Sequence, residues 1–326
     1  MRAAVVRSVD GDFIIEERGR PAAGAGELLV RVNASGVNPL DIKVRAGGSG
    51  HARHPFPAVF GIDMAGTVAA VGEGVTGFAV GDEVFGMTGG VGGIQGSLAD
   101  YAAVDARLVA HKPANLSLRE AAALPLVTIT AWEGLVDRAR VEPGQRVLVH
   151  GGAGGVGHIA VQVAVAHGAE VFATGAARNC KVIEQLGATA IDYEAEQVAD
   201  YVQRYTGGEG FDLIFDSVGG STLDASFEAV RRFGHVVSAF GWGSHSLAPL
   251  SFKGATYSGV FTLHPLLTGV GREHHGDILR AAARLVEDGK LMPILDPRRF
   301  TLDTVADAHD IVANGTARGK VVVDVG

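Results

Sequence analysis

Between Ala3 and about Leu124 the apolar positions come in short runs, Leu28 to Val32, Thr67 to Val71, Glu83 to Phe85 and Ala99 to Ala103, separated by turn glycines. Runs this short, bounded by glycine, predict β-strands. Gly61, Gly66, Gly72, Gly74, Gly77, Gly81 and Gly86 recur too often for helices, so the region reads as a compact, barrel-like β domain. Past Pro125 the texture changes. Strand runs at Arg146 to His150, Glu170 to Thr174, Phe211 to Phe215, His235 to Ala239 and Tyr257 to Phe261 alternate with helical segments, the pattern of a parallel sheet covered by helices. The tail carries a helical stretch from about Gly276 to Asp288, a second amphipathic stretch ending at Ala313 and a terminal strand from Lys320 to Asp324.

A chain of 326 residues exceeds what one core usually supports, so about two domains are expected. With 47% hydrophobic and 20% charged residues it should fold unaided. A formal net charge of -8 supplies no basic field for nucleic acid or anionic lipid, and neither is an expected partner. The lone cysteine, Cys180, can form neither an intramolecular disulfide nor a thiolate zinc cage, which favours a reducing, cytoplasmic setting. No export signal is expected near Met1. The longest uncharged run, His150 to Ala169, carries six glycines and three histidines and is too polar to cross lipid.

That run opens with the strongest motif in the chain. The strand Arg146 to His150 leads into Gly151-Gly-Ala-Gly-Gly-Val-Gly157 and then an apolar helix in which Val156, Ile159, Val163 and Ala166 share one spacing. Gly152, Gly154 and Gly157 fit G-x-G-x-x-G, a tight turn that brings backbone N–H groups and a helix N-terminus to a pyrophosphate. Gly155 and Val156 complete the candidate cradle. The second strand ends Thr174-Gly175-Ala-Ala-Arg178, with Lys181 following and no acid to take a ribose 2'-hydroxyl. Arg178 and Lys181 would instead meet a 2'-phosphate, which favours NADPH over NADH. The plain alternative is that both are ordinary solvated residues at a helix start. An acid placed at Gly175 is expected to weaken the preference.

Gly36-Val-Asn-Pro-Leu-Asp41, Gly61-Ile-Asp-Met-Ala-Gly-Thr-Val, Val71-Gly-Glu-Gly-Val, Gly81-Asp-Glu-Val, Thr130-Ala-Trp132, the glycine turn and Asp216-Ser-Val-Gly219 together resemble the zinc-independent medium-chain dehydrogenase/reductase superfamily, in its quinone oxidoreductase branch. The resemblance implies an α/β protein: a GroES-like β-rich catalytic domain (1–124 and 265–326) and an inserted, doubly wound parallel-sheet Rossmann domain (125–264) that binds NADP. It also implies a homodimer, with the run Tyr257 to Phe261 pairing with its own copy. Zinc-dependent relatives place a cysteine and a histidine where this chain has Asn38 and Ile62. Isoleucine cannot ligate and an amide is a poor zinc ligand, so no metal site is expected.

By the same resemblance Asn38 and Asp41 lie beside the nicotinamide as candidate catalytic residues, and Thr128 lies near the cofactor. Ser217, Val218, Gly219, Phe240 and Gly241 line its ribose and diphosphate, Tyr193 approaches the 2'-phosphate, and Lys320 is a cation close by. Asn38 and Asp41 are equally turn and cap formers, and Tyr193 a half-buried loop aromatic. If Asn38 is a half-exposed polar residue, Asn38→Ala should cost little stability. Without a Lewis acid an ordinary alcohol is a poor substrate. A small hydrophobic quinone is the expected hydride acceptor, with reduction of an enone or enoyl double bond as the alternative. A third reading, from another class, is a catalytically weak nucleotide-binding protein such as the lens crystallins that resemble this branch.

Overall fold

In the computed structural model, which describes residues 1–326, the strand Glu27–Val37 is the spine of the first of two units. It pairs antiparallel with Asp63–Val71, Tyr101–Asp105 and Val321–Asp324. The sheet runs on through Glu83–Met87 to Val109–His111, and past the terminal strand to Phe300–Thr301. Register shifts at Leu29/Val30 and Val32/Ala34 are bulges that let one long strand bend and serve several neighbours. A Cβ on Gly66 would stand 2.2 Å from the Arg31 carbonyl oxygen, so only glycine fits the crossing. A three-stranded sheet, Phe13–Glu17, Arg2–Val6 and Ala58–Val59, completes the β structure of this unit.

The second unit is built on six strands in the order Thr189–Asp192, Glu170–Gly175, Arg146–His150, Phe211–Asp216, Val230–Ser238 and Thr256–Gly259, all parallel. This is the doubly wound Rossmann order, and it reverses direction between Arg146–His150 and Phe211–Asp216. Leu148, Phe172, Ile191, Phe211, Ile214 and Phe227 form its core. The uncharged run resolves into the helix Gly157–Ala166, buried from Gly157 to Ala164. A helix that is apolar all round and this short belongs in a protein interior. Gln162 is buried with it because its amide is satisfied, donating to His158 O and Met292 O and accepting from Met292 N. Those bonds hold Lys290–Met292 to the second unit.

The first unit comprises Met1–Leu126, Leu263–Gly289 and Pro293–Gly326, and the second Val127–Thr262 with Lys290–Met292. The tail helix runs Arg272–Glu287 and its amphipathic successor Val305–Ala313. In the first unit Glu27–Val37 outruns its expected span and Tyr101–Asp105 lies two residues past it; in the second, two strands differ by more than one residue. The run expected from His235 starts at Val230, because the charged Arg231 and Arg232 masked its beginning, and the run expected to reach Phe261 ends at Gly259.

Thr256–Gly259 is the last strand of its sheet and pairs on one side only. Trp242, Leu247 and Phe252 on the same unit are exposed, Phe252 by 87%. An unpaired edge beside apolar side chains invites a second copy. Sedimentation equilibrium at micromolar concentration is expected to give a dimer; a monomer throughout would contradict this.

Candidate active site

In the second unit the glycine turn sits at the end of Arg146–His150, where the strand order reverses. A Cβ on Gly157 would lie 1.9 Å from Gly151 O, and one on Gly152 would lie 2.5 Å from Ala173 Cβ. The first glycine lets the turn lie on the second strand, and the last lets the helix begin against the turn. Gly154 and Gly155 are exposed. The helix Gly157–Ala166 has no side-chain cap; His158 N and Ile159 N donate to Gly154 O and Val156 O, which leaves the N–H groups of Gly155, Val156 and Gly157 for an anionic ligand.

Thr174 Oγ1 accepts from Gly151 N at 3.2 Å and lies 3.1 Å from His150 Nδ1, while Ser217 Oγ donates to His150 O at 2.7 Å. Burial holds the His150 ring well below its ordinary pKa, against the pull of Asp216, so it is neutral. Asp216 is fully buried and accepts from Val218 N, Gly219 N and Ser238 Oγ, which folds the chain after the fourth strand into a turn. Phe240 N donates to Ser238 Oγ, and Gly241 is glycine because a Cβ there would stand 2.0 Å from the Tyr257 hydroxyl. Thr174, Ser217, Val218, Gly219, Phe240 and Gly241 thus meet at the carboxyl ends of the strands, as expected of a nucleotide site.

Arg178 and Lys181 are exposed just past the second strand, and Tyr193, 55% exposed, follows the neighbouring strand with its N–H on Gly175 O. Gly175 pairs with Asp192, an acid that the sequence reading of the second strand alone did not include. Aspartate at Gly175 is also corrected as a test, since its Cβ would lie 2.7 Å from Ile183 Cδ1. Thr128 is fully buried, and its Oγ1 has no hydrogen-bond partner. An orphaned hydroxyl, an uncapped helix and a cradle of required glycines fit a dinucleotide.

In the first unit the remaining candidates form one buried cluster. Asn38, at the end of Glu27–Val37, is the N-cap of the helix Pro39–Arg45, and its N–H donates to Asp41 Oδ2 at 2.8 Å. The Asn38 side chain is engaged at both ends: Nδ2 donates to Asp63 Oδ2 at 2.9 Å, and Oδ1 accepts from Lys320 Nζ. Lys320 also donates to Val37 O and lies 3.7 Å from Asp63 Oδ2, while Asp63 Oδ1 accepts from Leu126 N at 2.8 Å. None of the four side chains is more than 4% exposed.

Asn38 is therefore not a half-exposed polar residue, and the expectation that its truncation costs little is corrected: it separates and satisfies two buried charges. Asp63 is the member that sequence reasoning missed. Its signal was present, a single acid inside the apolar run Gly61-Ile-Asp-Met-Ala. Burial pushes Asp41 up to about 7, the Asn38 N–H and Lys320 opposing and Asp63 adding to the rise. Burial likewise raises Asp63 and lowers Lys320, with each countering the shift of the other. Two carboxylates face one ammonium, and burial favours the neutral acid at both Asp41 and Asp63.

Ile62 is fully buried, and no three of the chain's His, Cys, Asp and Glu side chains come together. The donor set around Asn38 is an amide, two carboxyls and a lysine. It does not fit zinc.

A six-stranded Rossmann sheet carrying a dinucleotide turn, in one chain with a GroES-like β unit, defines a nicotinamide-dependent oxidoreductase. The family model described as "Alcohol dehydrogenase GroES-like domain" matches residues 24–114, and that described as "Zinc-binding dehydrogenase" matches 186–323. The chain is 37% identical over 305 residues to the 2-methylene-furan-3-one reductase of Solanum lycopersicum, covering 91% of this chain and 71% of that one. It is 34% identical over 311 residues to the chloroplastic NADPH-dependent alkenal/one oxidoreductase of Arabidopsis thaliana, covering 93% and 73%. Among solved structures, an alcohol dehydrogenase superfamily protein from Novosphingobium aromaticivorans superposes over 100% of both chains with a TM-score of 0.98 and 55% identity. The quinone oxidoreductase of Coxiella burnetii does so over 100% and 99%, with a TM-score of 0.85 and 27% identity. The chain belongs to the zinc-independent medium-chain dehydrogenase/reductase superfamily.

Two outcomes test the cluster. Because the folded-state pKa of Asp41 is raised, its contribution to stability is fully present below the unfolded value near 4 and is lost as pH rises through about 7. Asp41→Asn cannot ionise, so its melting temperature relative to the parent should rise between pH 5 and pH 8; a constant difference across that range would refute the assignment. Asn38→Ala, which strips a hydrogen bond from each of two buried charges, should lose about 2–3 kcal/mol in chemical denaturation. A loss within error would show that water replaces the amide.

Proposed function

We propose that this protein reduces the carbon–carbon double bond of small enones and alkenals with NADPH. The observation that carries the reading is the donor set of the first unit: isoleucine and asparagine where a Lewis acid would need imidazole and thiolate. An acceptor whose developing charge spreads over a conjugated system does not depend on such a metal. NADPH, held by the second unit, would supply the hydride for the β-carbon, and a proton from solvent at the α-carbon would complete the saturated carbonyl. In this reading the second unit holds the cofactor. The N–H groups of Gly155, Val156 and Gly157 would hold the diphosphate, the Thr128 hydroxyl would bond the cofactor, and the turn after Asp216 would hold the ribose. Asn38 and Asp41 are the polar groups that the first unit would offer the substrate, and Lys320 holds Asn38 in place by its bond to the amide oxygen.

The two curated relatives are named for reducing a methylene-furanone and alkenals or alkenones, which supports the enone reading. The Coxiella burnetii structure supports a quinone as second acceptor, taking the same hydride and a proton to become a hydroquinone. NADPH oxidation with a small enone, an alkenal and a quinone should be fastest with the enone or alkenal, and the product should be the saturated carbonyl. Turnover of the quinone alone would reverse the order of the readings. Tight NADPH binding with no turnover of any of the three would favour the crystallin-like alternative.

Cofactor choice is read at the exposed Arg178. A charge-assisted pair with a 2'-phosphate is worth roughly 1.5 kcal/mol at such a site, about tenfold in affinity. Arg178→Ala should weaken NADPH about tenfold at low salt and leave NADH within twofold. Equal loss for both nucleotides would show that Arg178 does not read the phosphate.

A further inference from the structure

We propose that a cleft of the first unit, beside the helix Pro39–Arg45, is a carboxylate-binding subsite that takes the anionic end of an acidic substrate through Arg53. The cleft, about 430 Å³, is walled by Val9, Val44, Pro55 and Phe56, with Ser49 and Arg53 among its polar lining. That volume lies in the range of small-ligand pockets, with apolar walls and few polar groups.

Three observations point to an anion. The Arg53 guanidinium forms no hydrogen bond or ion pair with any other group of the protein. Arg53 also adopts φ 48° and ψ 40°, the left-handed conformation, as the C-cap of the turn Gly50–Ala52. Glycine or asparagine is the ordinary choice there, so a long cation at a strained position points to use of its side chain. Finally, the segment between Asp41 and Asp63 holds Lys43, Arg45 and Arg53 and no acid, in a chain whose net charge is -8. His54, also in the lining, is kept neutral by burial, so the charge offered to the cleft is that of Arg53.

The helix joins this cleft to the cluster already described. Asp41 lies on its first turn in the buried network, and Val44 one turn later lines the cleft. Apolar walls with one cation suit a short unsaturated acid, its hydrocarbon body on Val44 and Phe56 and its carboxylate on Arg53. As a statement about substrates this rests on the enone-reductase reading; as a statement about binding it does not.

Calorimetry with 4-phenylbutanoate and its uncharged amide tests binding without turnover. The acid should bind the parent about tenfold more tightly than the amide. Arg53→Gly should abolish that difference and Arg53→Lys keep most of it. Arg53→Gly should melt no lower than the parent, because glycine suits the left-handed backbone. Equal affinity for acid and amide in the parent, or an unchanged preference in Arg53→Gly, overturns the subsite. A lower melting point with lost binding would give Arg53 a structural role and overturn it too.

The kinetic arm compares 4-oxopent-2-enoate with its methyl ester. Arg53→Gly should raise KM for the acid about tenfold, leaving kcat and the KM of the ester unchanged. Equal changes for both overturn the substrate assignment. If neither compound is reduced, the enone-reductase reading fails, and calorimetry alone decides the subsite.

Discussion

An ammonium removed from water must be neutralised where it lies, and the first unit is arranged around that requirement at Lys320. Its nitrogen contacts Val37 O, Asn38 Oδ1 and Asp63 Oδ2. Those partners come from the end of Glu27–Val37 and the start of Asp63–Val71, while Lys320 immediately precedes the terminal strand Val321–Asp324. The sheet register brings the three together, Val321 opposite Val37 and Gly36 opposite Asp63. One buried charge therefore fixes where the tail, separated from its partners by more than two hundred residues, joins the β unit. Gly36 keeps the space open. A Cβ there would stand 2.3 Å from Ala122 O and 3.2 Å from Asp63 Oδ2.

The same requirement accounts for Asp41. Isolated buried charges cost several kcal/mol each, and a pair is tolerated only when its remaining hydrogen-bonding capacity is met. Asp63 meets that condition with two hydrogen bonds, from Asn38 Nδ2 and Leu126 N, and the Lys320 ammonium 3.7 Å away. Asp41 accepts from the Asn38 N–H, and burial, against that bond and the Lys320 charge, raises it to about 7. Asn38 is the insulating element, an uncharged group whose amide nitrogen faces a carboxylate and whose oxygen faces an ammonium. No other side chain of similar size offers a donor and an acceptor in that fork.

The second unit was readable from sequence because its signals are local. A strand, a glycine turn and a helix occupy consecutive residues, and Arg146–His150 needed no adjustment. Strands that begin with charge were harder: Arg231 hides the start of Val230–Ser238, although Asp212 takes its guanidinium and makes it a sheet residue. The first unit was readable as β structure but not as a site. Asn38 and Lys320 stood out only through a family resemblance, and Asp63 was quoted inside a motif without a role. The information that joins them lies in strand register, which no short window contains.

The cations of this chain show why residue type alone does not mark a binding site. Lys320, Arg53 and Arg178 are each a positive charge near a segment of interest, and composition treats them alike. What a ligand anion can use is charge left uncompensated by the protein itself. Lys320 lies against a carboxylate and two other acceptors, so an approaching phosphate or carboxylate would have to compete with Asp63. Arg178 stands exposed past a strand end whose one neighbouring acid, Asp192, is opposite Gly175 on the next strand, and Arg53 lines an apolar cleft within a segment free of acids. Screening by salt acts strongly on exposed charges such as Arg178 and weakly on the buried pair. Ionic strength should therefore separate these roles experimentally, because a contact made by Lys320 is protected from solvent and one made by Arg178 is not.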